Sequence, residues 1–418
     1  MKCSLILFVA FYSAVAANAE SSSLPVAEPE SVGMSSDRLE RMHSLAQQVV
    51  DESKHAGIVT AVARRGKLVD LQTYGYRDLD SKAPMTTDSI FRIYSMTKTI
   101  VSVAAMILVE EGKVDIHNPI SEFIPAFADT KVFFGGTTEK PLLKDPDRPI
   151  TIHHLLTHTS GLTRKNEDGH PVDRMYAAHD PIEAPDFDSY IQQIARMPLR
   201  FEPGTEFNYG QSIDVLGYVV EKASGQKLDE FLHERIFEPL KMVDTSFSVP
   251  KSKRHRLATV YRTVEGKLVA LQDLEDFTPG EPLRNFPNGG GGLYSTPGDY
   301  LNFAQMLLNK GVLNGKRVLG KMTVEFMIEN HLGMWEDPTN AFSRSDGFGL
   351  GGSLRLYQHS ANTLLSQGRF GWGGAATTLY RIDPKEELIV MLFAQHRPID
   401  PYKIFNKYIN TVAQAIVE

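Results

Sequence analysis

A serine and a lysine stand three residues apart at the start of a strongly apolar segment. Ser95 and Lys98 enclose Met-Thr, and the residues from Ile100 to Val109 are apolar on nearly every side. Such a run predicts a buried helix, and residues three apart on a helix share a face. Burial favours the neutral form of an amine, which can then activate a neighbouring serine. Alone, the four-residue pattern more often marks an N-cap serine followed by a solvated lysine.

A tyrosine in a second segment is the next candidate for chemistry. Tyr209 follows the turn-forming pair Pro203-Gly204 and precedes an apolar segment that starts at Ile213 and predicts a helix. A phenol held beside an ammonium group can ionise more easily and pass a proton from a serine to a leaving group. The alternative interpretation is a tyrosine that only packs at the start of a helix.

A glycine-rich segment near the C-terminus is the third candidate. Residues 367–375 read Gln-Gly-Arg-Phe-Gly-Trp-Gly-Gly-Ala and come directly before a predicted strand. Glycines allow a strand edge to approach another segment closely, and a backbone N–H aimed from there can bind a carbonyl oxygen. Arg369 and Trp372 would then lie near the substrate. A structural β-bulge is the alternative.

The elements that must position these residues come from both ends of the chain. Ser36 predicts the N-cap of an amphipathic helix, and residues 402–416 predict a closing one. Between them, β-branched and aromatic residues predict strands near both termini, at 58–66, 68–78, 349–356, 376–383 and 388–395. The middle of the chain is helical and loop-like. We therefore expect an α+β domain over 20–418, with a sheet subdomain (about 30–112 and 341–418) and a largely helical subdomain (about 113–340).

The N-terminus has the form of a secretory signal. Lys2 precedes an apolar stretch over residues 3–16, and Ala17-Asn18-Ala19 is a small-x-small cleavage site. We expect cleavage after Ala19 and a secreted or periplasmic protein without a stable membrane anchor; a retained anchor is the alternative. The sole cysteine, Cys3, lies inside this signal, so we expect neither thiol chemistry nor a disulfide.

Composition and motif searches exclude several other functions. The net charge is −7 and no basic block occurs, which disfavours nucleic-acid binding. His153, His154 and His158 are accompanied by neither an HExxH glutamate nor a cysteine cluster, so no metal is expected. The glycines at 289–292 lack the ending of a phosphate loop and predict a tight turn beside the site. No dinucleotide fingerprint or G-x-S-x-G elbow is present, and we expect no cofactor.

Several motifs in this order resemble one protein superfamily. They are FRIYSMTK around Ser95, HLLTHTSGL at 154–162, PGTEFNYGQSIDVLG at 203–217, GGGGLYSTPGDY at 289–300 and GWGGAATTLYRIDP at 371–384. Together they resemble the serine β-lactamases and penicillin-binding proteins, specifically the class C-like branch that includes the family VIII carboxylesterases. The resemblance spans about residues 30–416 and implies a β-lactamase-like fold, with an antiparallel sheet flanked by helices and a largely helical second region.

The resemblance also implies catalytic roles. Ser95 corresponds to the acylated nucleophile, while Lys98 and Tyr209 correspond to the groups that share the acid and base work. The backbone N–H groups of Ser95 and Ala375 correspond to the oxyanion hole. These roles describe an enzyme that transfers an acyl group through an ester formed on its serine.

The substrate-binding positions depart from the β-lactamase pattern. Gln211 stands where Y-x-N has its asparagine, and Trp372-Gly373-Gly374 stands where K-T-G is found. The K-T-G lysine helps to hold an antibiotic carboxylate, whereas a tryptophan offers apolar surface. Arg369 is a candidate for restoring the lost charge. The W-G-G version resembles the esterases of this branch.

The sequence therefore favours a serine carboxylesterase acting on short-chain esters. Trp372 and the long segment 163–202 are expected to shape the acyl pocket. A β-lactamase or D-amino-acid peptidase on the same machinery is the first alternative, with weak β-lactam hydrolysis alongside esterase activity as an intermediate case. A non-catalytic binding or sensing protein is the alternative from another class. The natural substrate, an alcohol acceptor in place of water, and the oligomeric state stay open.

Overall fold

A computed structural model describes most of the chain. It covers residues 22–418 except 180, 182–183, 276, 334–342, 344 and 360. The predicted signal at 1–19 lies outside the described residues, as does most of the predicted subdomain boundary near 340. Among the described helices, none is long and apolar enough to cross a bilayer.

The structure is built around an eight-stranded antiparallel sheet. Its strands are β1 (Gly57–Arg64), β2 (Lys67–Asp78), β3 (Ala83–Pro84), β12 (Asp346–Phe348), β13 (Ser353–Arg355), β14 (Phe370–Gly374), β15 (Thr378–Asp383) and β16 (Leu388–Ala394). Their order across the sheet is β12-β13-β14-β15-β16-β1-β2-β3. The first strands of the chain thus pair with the last ones, because β1 lies directly beside β16. Strands from both ends of the chain therefore form one antiparallel sheet, as the sequence predicts.

Helices cover both faces of this sheet. In chain order they are α1 (Ser36–Asp51), α2 (Thr97–Glu110), α3 (Ile152–Leu156), α4 (Pro171–Ala178), α5 (Phe187–Arg196), α6 (Ser212–Ser224), α7 (Leu228–Leu232), α8 (Pro297–Leu308), α9 (Lys321–Met327) and α10 (Ile404–Ala413). Helices α1 and α10 pack on one face, and α2 and α8 contribute to the larger core on the other. Since both faces are covered, β1 and β16 are buried along their whole length.

The predicted apolar helix after Ser95 is confirmed. Helix α2 runs from Thr97 to Glu110, and every residue from Thr97 to Leu108 is buried. A helix enclosed on all sides has little freedom to shift because protein interiors are close-packed. It therefore provides a rigid support for the residues in its first turn.

The predicted strand over 349–356 is confirmed only for Ser353–Arg355, which form β13. Residues 349–352 instead form the turn between β12 and β13, where the Gly349 N–H donates to the Gly352 carbonyl at 2.8 Å. Gly351 has φ +90°, and a Cβ at this position would collide with Ser102 on α2. The glycines therefore serve a tight turn against the central helix rather than a continuous strand.

The middle of the chain also contains short strands that the sequence did not indicate. These are β4 (Phe91–Arg92), β5 (Val132–Gly136), β6 (Pro141–Lys144), β7 (Tyr261–Val264), β8 (Lys267–Ala270), β9 (Tyr294–Ser295), β10 (Val312–Leu313) and β11 (Lys316–Arg317), with β17 (His396–Arg397) beside β7. Strands of two to five residues leave too little sequence for a periodic pattern. The pair β4–β9 matters for the site, because it joins the segment before Ser95 to the segment after the glycine run.

Candidate active site

Ser95 and Lys98 lie together at the head of α2. Ser95 belongs to the 3₁₀ turn Tyr94–Met96 that leads into the helix, and Lys98 lies in the first helical turn with only 5% of its surface exposed. The Lys98 Nζ donates to Ser95 Oγ at 3.2 Å and also to the Gly290 carbonyl. The hydrogen bond predicted from the spacing of the two residues is therefore present.

The residue before the serine has an uncommon backbone conformation. Tyr94 has φ +43°, a region that a bulky residue occupies only when its surroundings impose it. Its ring is held between two guanidinium groups, with the Cζ atoms of Arg92 and Arg397 at 5.0 and 5.7 Å from the ring centroid. This packing keeps the turn that presents the Ser95 hydroxyl in place.

The Tyr209 side chain completes the group around the serine and lysine. Lys98 Nζ lies 4.7 Å from the centroid of the Tyr209 ring. The indole Nε1–H of Trp372 donates to the Tyr209 phenol oxygen at 3.3 Å. The His158 ring lies 4.7 Å from the Tyr209 ring, and the Arg164 guanidinium lies 5.9 Å from it. Trp372 thus supplies a hydrogen-bond donor as well as the apolar surface that the sequence suggested.

The end of β14 lies beside the turn that carries Ser95. A Cβ on Gly374 would collide with the Ile93 carbonyl oxygen, so only glycine allows this close approach. Ala375 packs in the same small apolar cluster as Tyr94. In the described part of the chain, neither the Ser95 N–H nor the Ala375 N–H donates to a backbone acceptor.

Sequence reasoning missed a buried carboxylate behind Lys98. Asp214 on α6 is 3% exposed, and its Oδ1 accepts from the Gly290 N–H at 2.9 Å and from the Asn288 side-chain amide. Burial raises the pKa of Asp214, while the Lys98 charge and the Gly290 N–H oppose that rise. The glycine run at 289–292 forms the predicted turn beside the site; a Cβ on Gly290 would collide with the Asp214 carboxylate.

A family model and several related proteins identify the family to which this chain belongs. The family model described as "Beta-lactamase" matches residues 42–413. The chain belongs to the β-lactamase family. Lovastatin esterase of Penicillium rubens is 31% identical over 382 residues, covering 83% of this chain and 90% of that protein.

Two further comparisons concern the esterase and acyltransferase branch of this family. Esterase EstB of Burkholderia gladioli is 31% identical over 293 residues, covering 65% of this chain and 71% of that protein. The solved structure titled "EstCE1, a hydrolase with promiscuous acyltransferase activity" aligns with a TM-score of 0.76 and 26% identity, covering 91% of this chain and 98% of that one.

In this member of the β-lactamase family, a hydrogen bond from a buried tyrosine holds the Gln211 side chain. Its Oε1 accepts from the Tyr190 phenol at 3.0 Å, and Tyr190 is buried. The carbonyl end of the side chain is therefore fixed. Gln211 immediately precedes α6 and lies two residues after Tyr209.

The residues of the Trp-Gly-Gly segment do not all face the same way. Side chains alternate between the two faces of a strand. Trp372 joins the core on the α2 face, while a Cβ on Gly373 would lie 3.8 Å from Phe405 of α10. Gly373 therefore faces the α10 side of the sheet, and only its backbone can contribute to a site on the other side.

The proposed substrate contact of Arg369 is corrected by the same alternation. Arg369 lies an odd number of residues from Trp372 and points to the opposite face of the sheet. It is 4% exposed, and its guanidinium donates to Asp346 Oδ2 at 2.5 Å and to Ser353 Oγ at 3.3 Å. Asp346 also binds Arg355 at 2.7 Å. We therefore assign Arg369 a structural role in a cross-strand ion-pair cluster.

His158, one of the three histidines considered as metal ligands, supports Tyr209 instead. Its ring is fully buried against Tyr209, Phe207 and Phe348. Burial, together with the nearby Lys98 charge, holds the pKa of His158 well below its usual value. The ring is therefore neutral at ordinary pH and acts as packing for the catalytic tyrosine candidate.

Proposed function

We propose that this chain is a serine esterase that forms an acyl-enzyme on Ser95. The observation that carries the proposal is the 3.2 Å hydrogen bond from Lys98 Nζ to Ser95 Oγ, with the Tyr209 ring packed against the same amine. A nucleophile with an adjacent proton acceptor is the usual sign of covalent catalysis. The esterases among its relatives support an ester or another acyl compound as the substrate.

In the acylation step, Ser95 Oγ bonds to the ester carbonyl carbon. Its proton passes to the Lys98–Tyr209 pair, and the N–H groups of Ser95 and Ala375 bind the oxygen on which negative charge develops. The ester C–O bond then breaks, and the alcohol leaves with the proton that the pair returns. In the deacylation step, water attacks the acyl carbon, the carboxylic acid leaves, and Ser95 regains its proton.

The substrate we propose is a short-chain carboxylic ester that needs no additional, free carboxylate group for binding. Trp372 stands where β-lactamases have a lysine, and its indole nitrogen is engaged with Tyr209. Arg369 does not replace that lysine because it is paired on the opposite face of the sheet. Arg164 lies close to the Tyr209 ring, which supports a role for segment 163–202 in shaping the pocket.

Paired substrates test this preference. The purified enzyme should hydrolyse p-nitrophenyl butyrate with a kcat/KM at least about 100-fold above that for nitrocefin. Ser95→Ala should abolish both activities, which separates site-dependent turnover from spontaneous hydrolysis. Faster turnover of nitrocefin would contradict the ester assignment and favour a β-lactamase.

We also propose that residues 1–19 direct export and are removed. The support is the charge and apolar pattern at 1–19. N-terminal sequencing of the protein recovered from the periplasm or medium should begin at Glu20. An intact Met1 in the recovered protein would contradict cleavage.

A further inference from the structure

We infer that Asp214 is a positioning residue for Lys98, acting through the Gly290 turn. This inference rests on the proposed function, because it assigns a task to a residue that supports the proposed base rather than the substrate. Asp214 lies in the first turn of α6, whereas Lys98 lies in the first turn of α2. The two side chains are connected by Gly290, which binds one with its N–H and the other with its carbonyl.

Asp214 holds the Gly290 turn in place through hydrogen bonds. Two donors from the loop that contains Gly290 end on the same oxygen of Asp214, Oδ1: the Gly290 N–H at 2.9 Å and the Asn288 side-chain amide. Two hydrogen bonds from one loop to one buried acceptor hold the loop in a single orientation. A Cβ on Gly290 would collide with this carboxylate, so the contact also requires glycine at position 290.

The Gly290 turn in its fixed position orients the Lys98 amine. The Gly290 carbonyl accepts a hydrogen bond from Lys98 Nζ, and the same nitrogen donates to Ser95 Oγ at 3.2 Å. A lysine side chain has four rotatable bonds and loses considerable freedom when it is fixed. The carbonyl therefore limits the amine to orientations in which it also faces the serine.

Charge links the same residues. Lys98 Nζ lies 4.7 Å from the centroid of the Tyr209 ring, and the Arg164 guanidinium lies 5.9 Å from that ring. His158 is neutral because burial and the Lys98 charge hold its pKa well below the usual value. The charges of Lys98 and Arg284 oppose the rise that burial causes in the pKa of Asp214, so Asp214 is an acidic group coupled to Lys98.

Two substitutions separate the anchor from the charge. Asp214→Asn keeps an oxygen able to accept both hydrogen bonds on Oδ1 but removes the charge. Asp214→Ala removes both the anchor and the charge. The matched control is Asp299→Asn, which changes another buried carboxylate whose partners are the Asp244 N–H and the Thr245 hydroxyl, outside the Lys98 group.

The test is the pH profile of kcat/KM for p-nitrophenyl butyrate, with folding checked by circular dichroism. We expect Asp214→Ala to lower kcat at least about 100-fold with little change in KM, because an unanchored lysine is poorly oriented. Asp214→Asn should retain activity within about 10-fold, because its amide oxygen can still accept both hydrogen bonds, and the acid limb of its profile should move to lower pH because a buried negative charge is lost. Asp299→Asn should keep the wild-type profile.

The outcomes distinguish this inference from the proposed function. Folded Asp214→Ala and Asp214→Asn proteins with the wild-type kcat and acid limb would overturn the positioning role while leaving the esterase intact. An equal loss in Asp299→Asn would overturn it too, because any buried carboxylate would then behave alike. A wild-type protein that hydrolyses no ester would contradict the proposed function, and the positioning role with it.

Discussion

At the residue scale, the exchange of a lysine for Trp372 changes a hydrogen bond as well as a charge. The indole N–H donates to the Tyr209 phenol at 3.3 Å, so Trp372→Phe should remove the donor while keeping an aromatic ring. We expect kcat on p-nitrophenyl butyrate to fall about 10- to 150-fold with KM nearly unchanged, since hydrogen bonds to a developing charge contribute about 1.5–3 kcal/mol. Steady-state kinetics measure this split.

A different substitution of Trp372 should increase turnover of a β-lactam relative to an ester. Trp372→Lys restores a donor near Tyr209 and adds a positive charge, so the ratio of nitrocefin to p-nitrophenyl butyrate turnover should rise. A Trp372→Phe variant with the wild-type kcat would contradict the role of Trp372 in proton transfer, and a Trp372→Lys variant with an unchanged ratio would contradict its role in substrate choice.

Single residues also show where sequence reasoning succeeds and where it stops. The Ser95–Lys98 hydrogen bond was predictable because helix geometry fixes which residues share a face. The buried partnership of Asp214 with Gly290 joins positions 76 residues apart, and no local pattern encodes such a distance. Arg369 was misassigned because its nearness to Trp372 in sequence was taken as nearness in space, although strand alternation separates them.

At the element scale, β14 brings Ala375, whose N–H we propose as an oxyanion donor, beside the Ser95 turn by a close approach that only glycine permits at position 374. Gly374→Ala would place a Cβ against the Ile93 carbonyl and the Thr378 hydroxyl, which should push Ala375 away from Ser95. We expect kcat to fall about 100-fold or more, as for loss of one oxyanion donor. Gly135→Ala on β5 is the control, because its Cβ would meet only Leu142 at 3.6 Å.

The fold itself was largely predictable at this scale, with one informative exception. Long elements such as α2, β1 and β16 carry enough apolar residues for their burial to be evident from sequence. The segment 349–356 reads as one strand in sequence, but only Ser353–Arg355 are a strand. The turn at 349–352 depends on the contact of Gly351 with Ser102 of α2, a tertiary interaction that the segment alone does not contain.

At the scale of the whole molecule, one buried and two half-buried histidines should make the protein sensitive to acid. Burial lowers the pKa of His55 to about 3, and lowers the pKa values of His153 and His154 to about 4. In the unfolded chain these groups take up protons near their ordinary value of about 6.5. Below that pH the unfolded state binds more protons, so the free energy of unfolding falls as pH decreases from about 6.5 to about 4.

Urea unfolding at a series of pH values measures this effect. Each histidine that stays neutral in the fold adds a slope of about 1.4 kcal/mol per pH unit within that window. His55 packs against the rings of His396 and Tyr402, so His55→Phe keeps a ring there. This variant should reduce the slope of the free energy of unfolding against pH by about 1.4 kcal/mol per pH unit. A wild-type protein equally stable at pH 7 and pH 4.5 would contradict the assignment.

The central claim is that Ser95 carries an acyl group during turnover. Acid quenching of the enzyme during hydrolysis of p-nitrophenyl butyrate, followed by peptide mass spectrometry, tests it directly. We expect the wild-type peptide containing Ser95 to gain the mass of one butyryl group, and Ser95→Ala to gain none and to be inactive. A butyryl group on another residue, or full hydrolysis by Ser95→Ala, would contradict the account.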